Sequence, residues 1–235
     1  MLLKKTNSPV ISVVGAGGKT SFIYKTASWF GSKGEKVIIT TTTHMQKQNK
    51  WKNSYSGSSE EIRKLLKTEQ IIVAGIPCGN GKIKGLERKT LEEITAWNIP
   101  VLIEADGAKH MPCKAPREHE PVIIPQTNVV VAVAGLDAVH KPIKQVCYCS
   151  KEVAAILNCS EEKVLTCEDI VTLMADSDGM RKGVTENMDY WVVLNKADSP
   201  EQVADAREIE RQLNRIGIKQ VKICSLLNDM FYDSK

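Results

Sequence analysis

The sequence has few aromatic residues, no long apolar run and only a small excess of positive charge. Phenylalanine, tryptophan and tyrosine make up 5% of the 235 residues, so few side chains could stack on unpaired bases. The 32 lysines and arginines exceed the 28 acids by only four, whereas nucleic-acid or membrane binding usually requires a basic stripe. No apolar run approaches the length that spans a bilayer. We therefore expect no nucleic acid and no membrane among the partners.

The seven cysteines form an odd set without a Cys-x-x-Cys pair. Disulfide frameworks and tetrahedral metal sites usually use paired cysteines, so this set is typical of reduced thiols. The segment Met1 to Val14 has no long apolar stretch and no small-residue cleavage site, in contrast to a secretory signal. The sequence predicts a soluble, cytoplasmic protein.

Short β-branched runs alternate with longer amphipathic segments, which is typical of a parallel sheet flanked by helices. Seven strands are predicted at 10–14, 36–40, 71–74, 101–104, 129–133, 191–194 and 221–224, and six helices near 18–32, 59–68, 88–97, 151–157, 168–176 and 200–215. This pattern predicts one three-layer α/β domain over residues 1–235, and together with the glycine-rich turn described next it predicts a P-loop NTPase-like fold. The segment 138–189 breaks the alternation and is expected to be a small helical insertion.

The first predicted strand runs into a glycine-rich turn and then directly into a helix. The turn reads Gly15-Ala-Gly-Gly-Lys-Thr-Ser21. Glycines allow backbone N–H groups to point at phosphate oxygens, and the helix N-terminus adds partial positive charge. We expect Lys19 to contact the β and γ phosphates of a nucleotide and Thr20 to ligate Mg²⁺. The predicted nucleotide-binding residues are Gly15, Ala16, Gly17, Gly18, Lys19, Thr20 and Ser21.

This loop is shorter than the usual G-x-x-x-x-G-K-[ST], because the first glycine of that pattern would fall on Val13. The form G-x-x-G-K-T resembles the loop of the Mur ligases, which use ATP. The alternative is a turn whose glycines serve only the backbone conformation.

An apolar strand ends in Glu104-Ala-Asp-Gly107. In GTPases the form acid-x-x-Gly places the acid on the metal and the glycine N–H near the γ phosphate. Glu104 and Asp106 share one side of an extended strand, so one could hold Mg²⁺ while the other positions water. We expect Glu104 to ligate the metal together with Thr20, and Lys19, Glu104 and Asp106 to be the catalytic residues. A solvated acidic strand end is the alternative.

Four threonines precede His44 at the end of the second predicted strand. Ligands bind at this edge of open sheets, so Thr42, Thr43 and His44 are candidates for contact with phosphate, metal or substrate. Threonine is also a good strand residue, and some of the four are expected to serve only the sheet.

The proline-rich segment 108–121 follows the predicted metal ligand directly. Its cations Lys109, Lys114 and Arg117 could bind an anionic second substrate, and His119 with Glu120 could transfer protons. A surface loop with solvated charges is the alternative.

The strand near 191–194 ends in Asn195-Lys-Ala-Asp198, the N-K-x-D pattern with which GTPases recognise guanine. The Asp198 carboxylate would accept hydrogen bonds from guanine N1–H and the exocyclic amine, a donor pair that adenine lacks, while Asn195 and Lys196 support the loop. GTP is therefore favoured slightly over ATP. The alternative is that Asp198, like Ser199, is a cap of the following helix.

The sequence resembles the YqeC family over about residues 10–200. The resemblance lies in the blocks Val14-Gly-Ala-Gly-Gly-Lys-Thr-Ser21, Thr40-Thr-Thr-Thr-His44, Glu104-Ala-Asp-Gly-Ala-Lys109, Lys114-Ala-Pro116, His119-Glu-Pro121 and Gly135-Leu-Asp137. It implies a P-loop-type nucleotide-binding fold and a role in maturing or supplying the cofactor of selenium-dependent molybdenum hydroxylases.

These observations favour an enzyme, a Mg²⁺-dependent GTPase or ATPase that couples hydrolysis to the handling of a selenium or molybdenum cofactor. Two alternatives stay open. One is a nucleotide-gated chaperone for the cofactor or for the molybdenum hydroxylase. The other is an ATP-dependent ligase or kinase, which the Mur-like loop suggests.

Overall fold

The structure is a computed structural model, and it describes residues 8–232. In chain order the elements are β1 (Val10–Gly15), α1 (Lys19–Ser32), β2 (Val37–Thr41), β3 (His44–Gln46), β4 (Lys52–Ser54), α2 (Ser59–Leu65), β5 (Ile71–Ala74), β6 (Ile76–Gly79), β7 (Lys82–Lys84), α3 (Arg88–Thr95), β8 (Val101–Glu104), β9 (Cys113–Lys114), β10 (Val129–Gly135), α4 (Ile143–Val146), β11 (Cys147–Tyr148), α5 (Ser150–Ile156), α6 (Cys167–Ala175), β12 (Asp189–Asn195), α7 (Pro200–Arg215), β13 (Val221–Ser225) and β14 (Met230–Tyr232). A 3₁₀ turn at Leu136–Ala138 follows β10.

Nine strands form the central sheet, in the order β14-β13-β12-β10-β1-β8-β2-β5-β4. Every neighbouring pair is parallel except β13 and β14. The next long strand after β1, β2, lies on one side of β1 in the sheet, and the later strand β10 lies on the opposite side. An open parallel sheet binds ligands where its strand order reverses, at the carboxyl ends of the strands, and here that place is the end of β1.

Helices cover both faces of the sheet, which makes the molecule a three-layer α/β structure. Alternate residues of each strand point to opposite faces. On one face Ile11 and Val13 pack with Phe22 and Ile23 of α1. On the other face the sheet packs against α2 and α3 at one end and against α6 and α7 at the other. The predicted fold class, a mostly parallel sheet between helices, is confirmed.

All seven predicted strands and all six predicted helices are present, with ends that differ by a few residues at most. The sequence analysis missed the short strands β3, β4, β6, β7, β9, β11 and β14 and the helix α4. Two small sheets contain five of these strands, an antiparallel one in the order β3-β7-β6 and the parallel pair β9 and β11. Such strands have two to four residues, too few to show a periodic pattern.

The segment 138–189 contains α4, β11, α5 and α6. Its buried residues Ile143, Val153 and Leu173 pack in the same cluster as Val130 of β10 and Val192 of β12. The interpretation of this segment as an insertion within one domain stays a prediction. Among residues 8–232, no helix has the combination of length and apolar character that crossing a membrane requires.

The N-terminus of α7 is capped by Ser199 and not by Asp198. The Ser199 hydroxyl accepts a hydrogen bond from Gln202 N at 3.3 Å, and Gln202 Oε1 accepts from Ser199 N at 3.1 Å. This is a capping box with Pro200 in the first turn. The capping alternative for Asp198 is therefore not supported by the geometry of this helix.

The cap assignment predicts a difference in stability. Ser199→Ala removes the acceptor for Gln202 N, and we expect it to lower the free energy of unfolding by about 1 kcal/mol. Chemical denaturation of the variant and the wild type measures this value. Ser160→Ala, an exposed position outside the helices, is the control and should differ little from wild type. Equal losses in both variants would contradict the cap assignment.

Candidate functional site

The parallel register brings distant parts of the chain to one edge of the sheet. Val13 pairs with Glu104 on one side of β1, and Gly15 pairs with Val133 on the other. Gly135 at the end of β10 pairs in turn with Asn195 at the end of β12. The glycine loop (residues 15–21), the acidic strand end and the N-K-x-D segment therefore lie next to one another.

The glycine loop adopts backbone angles that favour glycine. The φ values of Gly15, Gly17 and Gly18 are 95°, 72° and 129°. A Cβ atom on Gly17 would lie 2.2 Å from Gly135 N, so the loop is in close contact with the end of β10. Ala16 N donates to Val133 O at 2.9 Å. These contacts fix the path of the loop before α1 begins.

The N-terminus of α1 has no capping side chain. Its N-cap is Gly18, and the first turn contains no acid. In contrast, α2, α6 and α7 are capped by Ser58, Thr166 and Ser199. The first N–H groups of a helix have no partner within the helix, and together with the helix dipole they attract anions. This helix start, which belongs to the glycine loop, is suited to a phosphate.

Asp106 is the centre of a buried charge cluster behind the loop. Its Oδ2 accepts from Gly15 N at 3.0 Å, and its Oδ1 lies 3.0 Å from Lys19 Nζ. Lys114 Nζ lies 3.0 Å from Oδ2. The Asp106 side chain is 1% exposed and that of Lys114 is fully buried. Asp106 thus holds the start of the loop and forms ion pairs with both lysines.

Lys114 also joins the cluster to the end of the proline-rich segment. Its Nζ donates to Gly107 O and to Glu120 Oε2, both at 2.7 Å. Burial lowers the pKa of Lys114, but the carboxylates of Asp106 and Glu120 outweigh this effect and the pKa is raised. Burial likewise raises the pKa of Glu120, but its bonds to Lys114 dominate and the pKa is lowered. Both groups are therefore charged at neutral pH.

Glu104 and Thr20 face each other at the entrance of the loop, where Thr20 Oγ1 donates to Glu104 Oε2 at 2.6 Å. Burial raises the pKa of Glu104, although Lys19 and the bond from Thr20 act in the opposite direction. A buried carboxylate is stabilised by a nearby cation. Hydroxyl and carboxylate oxygens fit Mg²⁺, which keeps several waters and needs few protein ligands. Residues 8–232 contain no cluster of three or more His, Cys, Asp or Glu that could hold a metal ion.

Asn195 connects the glycine loop to the end of β13. Its Nδ2 donates to Gly17 O at 2.7 Å, and its Oδ1 accepts from Leu226 N at 3.0 Å. The neighbouring Lys196 donates to Asp137 Oδ2 at 2.7 Å. The structure therefore places Asn195 as a support of the loop, and Lys196 beside the 3₁₀ turn after β10.

Asp198 is exposed and is oriented by a contact from the next strand. Its Oδ1 accepts a hydrogen bond from Ser225 Oγ at 2.5 Å. Asp198, Asn195 and Tyr24 line a cavity of about 910 Å³ that begins at Gly18. This cavity has the size of a small-molecule site.

A second cavity, of about 810 Å³, begins at the same loop and is here called the distal cleft. Of the predicted site residues, Thr43, His44, Lys109, Arg117 and Glu120 line it, as do Lys19, Thr20 and Glu104. Thr42, His119, Asp106 and Lys114 are not among its lining residues. Thr42 Oγ1 donates instead to Val122 O at 2.7 Å, and His119 is exposed.

The sequence analysis did not assign four residues that contribute to this region. Asp137 pairs with Lys196, Ser225 orients Asp198, and Lys82 and Tyr148 line the distal cleft. Asp137 and Ser225 lie at the ends of apolar strands, and this position could have indicated them. Lys82 and Tyr148 belong to short strands whose location only the folded chain shows.

Comparison with known proteins finds the same family that the sequence resembles. The model of the family described as YqeC protein matches residues 11–151. A relative from Escherichia coli (strain K12), described as "Uncharacterized protein YqeC", is 28% identical over 218 residues. The match covers 90% of this chain and 85% of the relative. The chain belongs to the YqeC family.

Proposed function

We propose that this protein binds a nucleoside triphosphate with Mg²⁺ at the glycine loop and hydrolyses it. The observation that carries the proposal is that a helix start without a capping side chain lies beside a part-buried pair of side-chain oxygens. The N-terminus of α1 would hold the phosphates, while Thr20 and Glu104, 2.6 Å apart, would hold the metal. Mg²⁺ would neutralise charge on the β and γ phosphates.

Lys19 is the cation expected on these phosphates. Its Nζ now donates to Gly15 O at 2.6 Å and is paired with Asp106. A bound triphosphate offers stronger anionic acceptors at the loop, and Lys19 would exchange its present partners for them. Asp106 would then keep Lys114 as a counter-ion, so no buried carboxylate is left unpaired.

The cavity of about 910 Å³ that Asn195 and Asp198 line is the proposed base site, here called the nucleoside cavity. In N-K-x-D the aspartate accepts from guanine, and here Ser225 holds Asp198 while Asn195 supports the loop. This arrangement supports GTP as the preferred nucleotide, with ATP as the alternative.

We further place the activity in the maturation or cofactor supply of selenium-dependent molybdenum hydroxylases. This part of the proposal rests on the family alone. A nucleotide-gated chaperone would show turnover only with its hydroxylase partner, whereas the enzyme turns over without a protein partner. Product release measured with and without the hydroxylase distinguishes the two.

Loss of the loop lysine tests the phosphate site. Lys19→Ala should weaken nucleotide binding or slow turnover roughly 10- to 100-fold, because one charge-assisted hydrogen bond of about 1.5–3 kcal/mol is lost. Titration calorimetry and phosphate release measure the two effects. Lys36→Ala, an exposed lysine after α1, should resemble wild type. Unchanged affinity and turnover in folded Lys19→Ala would sink the assignment.

The two acids should have different roles. Glu104→Gln should reduce Mg²⁺-dependent turnover with a smaller effect on nucleotide affinity, because it weakens the metal site. Asp106→Asn should reduce turnover and also lower the melting temperature. It breaks buried ion pairs, and their disruption costs about 3–5 kcal/mol. Mg²⁺ titrations of turnover and thermal unfolding separate the two effects. If Asp106→Asn alone gave the metal-dependent defect, the metal ligand would be Asp106.

The base assignment predicts a change in specificity. GTP should bind more tightly than ATP, and Asp198→Asn should shift the preference towards XTP by roughly tenfold or more, the value of a hydrogen bond to a charged group. Xanthine has a carbonyl where guanine has its amine, and the Asn amide can donate to it. Competition binding of GTP, ATP and XTP to both proteins is the measurement. ATP preference in the wild type, unchanged in the variant, would rule out a guanine site.

A further inference from the structure

The distal cleft and the nucleoside cavity lie on two sides of the same helix start. Both are lined by Gly18, Ser21 and Lys196. Lys19, Thr20 and Glu104 line only the distal cleft. A triphosphate whose base lies in the nucleoside cavity therefore directs its terminal phosphate towards the distal cleft. At about 810 Å³, this cleft has the size of a small-molecule site.

The distal cleft has an excess of positive charge. Within residues 8–232, Lys82, Lys109 and Arg117 form no ion pair with a carboxylate. The acids on its lining are already engaged, Glu104 with Thr20 and Glu120 with Lys114. Cations that line a concave site without counter-ions attract anionic ligands.

Two of these cations are held in place by a side chain from the small parallel sheet. The Arg117 guanidinium lies 4.8 Å and the Lys109 ammonium 5.4 Å from the centre of the Tyr148 ring. Tyr148 pairs with Lys114 across β9 and β11, so it is fixed next to the buried charge cluster. Such cation–π contacts orient a charge without using its hydrogen-bond donors. Arg117 also interacts with the side chain of Cys149, but its guanidinium has five N–H donors in all.

The backbone that carries Arg117 is fixed as well. Lys182 Nζ donates to the carbonyls of Arg117 at 2.8 Å and of Glu118 at 2.9 Å. Glu120, three residues after Arg117, is bound to Lys114. Lys109 and Arg117 are exposed, but Tyr148 and the backbone contacts of Arg117 position them along the cleft.

We propose that the distal cleft binds an anionic second substrate, a small molecule with a carboxylate or phosphate group that Lys109 and Arg117 hold opposite the terminal phosphate of the nucleotide. This inference rests on the proposed nucleotide site and deepens it, because it makes the protein a two-substrate enzyme. Arg117 can bind either anion through two parallel hydrogen bonds.

The test uses protein saturated with Mg²⁺ and a non-hydrolysable GTP analogue, which occupies the glycine loop. Inorganic phosphate and, separately, succinate are titrated by calorimetry. The double variant Lys109→Ala/Arg117→Ala is compared with Lys144→Ala/Lys151→Ala, which removes two exposed lysines elsewhere. We expect wild type and control to bind at least one probe equally, and the Lys109/Arg117 variant to bind it at least tenfold more weakly with unchanged affinity for the analogue.

Binding of phosphate alone or of succinate alone identifies the anionic group of the ligand. Equal binding in all three proteins, or no binding of either probe, overturns the proposal. If neither this analogue nor the matching ATP analogue binds, the proposed nucleotide function fails, and the titrations are made on the free protein with Lys19→Ala added. Weaker binding only in the Lys109/Arg117 variant then still supports the cleft, whereas weaker binding only in Lys19→Ala overturns it.

Discussion

The buried Asp106 carboxylate is the group on which the geometry of this site depends. It accepts from Gly15 N and is paired with Lys19 and Lys114. A buried charge is stable only when it is paired and hydrogen-bonded, so the loop start and both lysines must take positions that satisfy it. The same cluster continues through Lys114 to Glu120 and thereby fixes the end of the proline-rich segment beside the cleft.

A carboxylate with two lysines also explains how the loop can change its partners. Lys19 can leave Asp106 for an anionic ligand, because Lys114, with a fully buried side chain, remains as the counter-ion. In the proposed function, the arriving negative charge of the phosphate thus replaces Asp106 at Lys19 without isolating a charge in the interior. In the same proposal the two acids have different roles. Glu104 faces Thr20 at the entrance of the loop and would hold the metal, whereas Asp106 lies behind the loop and pairs with the lysines.

The central sheet brings the parts of the site together. Four segments that end β1, β8, β10 and β12 meet at one edge because their strands are parallel and in register. The helix that starts there begins without a capping side chain, whereas α7 has a complete capping box. Because α3, α4 and α5 also lack a capping side-chain hydrogen bond, it is the place of α1 at the carboxyl end of β1, set by the sheet, that distinguishes this helix start as an anion site.

Much of this molecule could be predicted from its sequence. The seven long strands and six helices follow from apolar periodicity. The glycine loop, Glu104 and Asn195 lie at strand ends, and their residue types alone indicate binding of phosphate, metal or base. Such signals are local, because side-chain alternation and helix capping depend on neighbours within a few residues.

The partners of these residues were decided only by the tertiary structure. The pairing of Asp106 with Lys114, the orientation of Asp198 by Ser225 and the position of Tyr148 beside Arg117 join residues from separate elements. The short strands β9 and β11, which place Tyr148, have no periodicity of their own and exist because each pairs with the other. Contacts of this kind depend on the register and packing of the whole sheet, which no single segment of sequence contains.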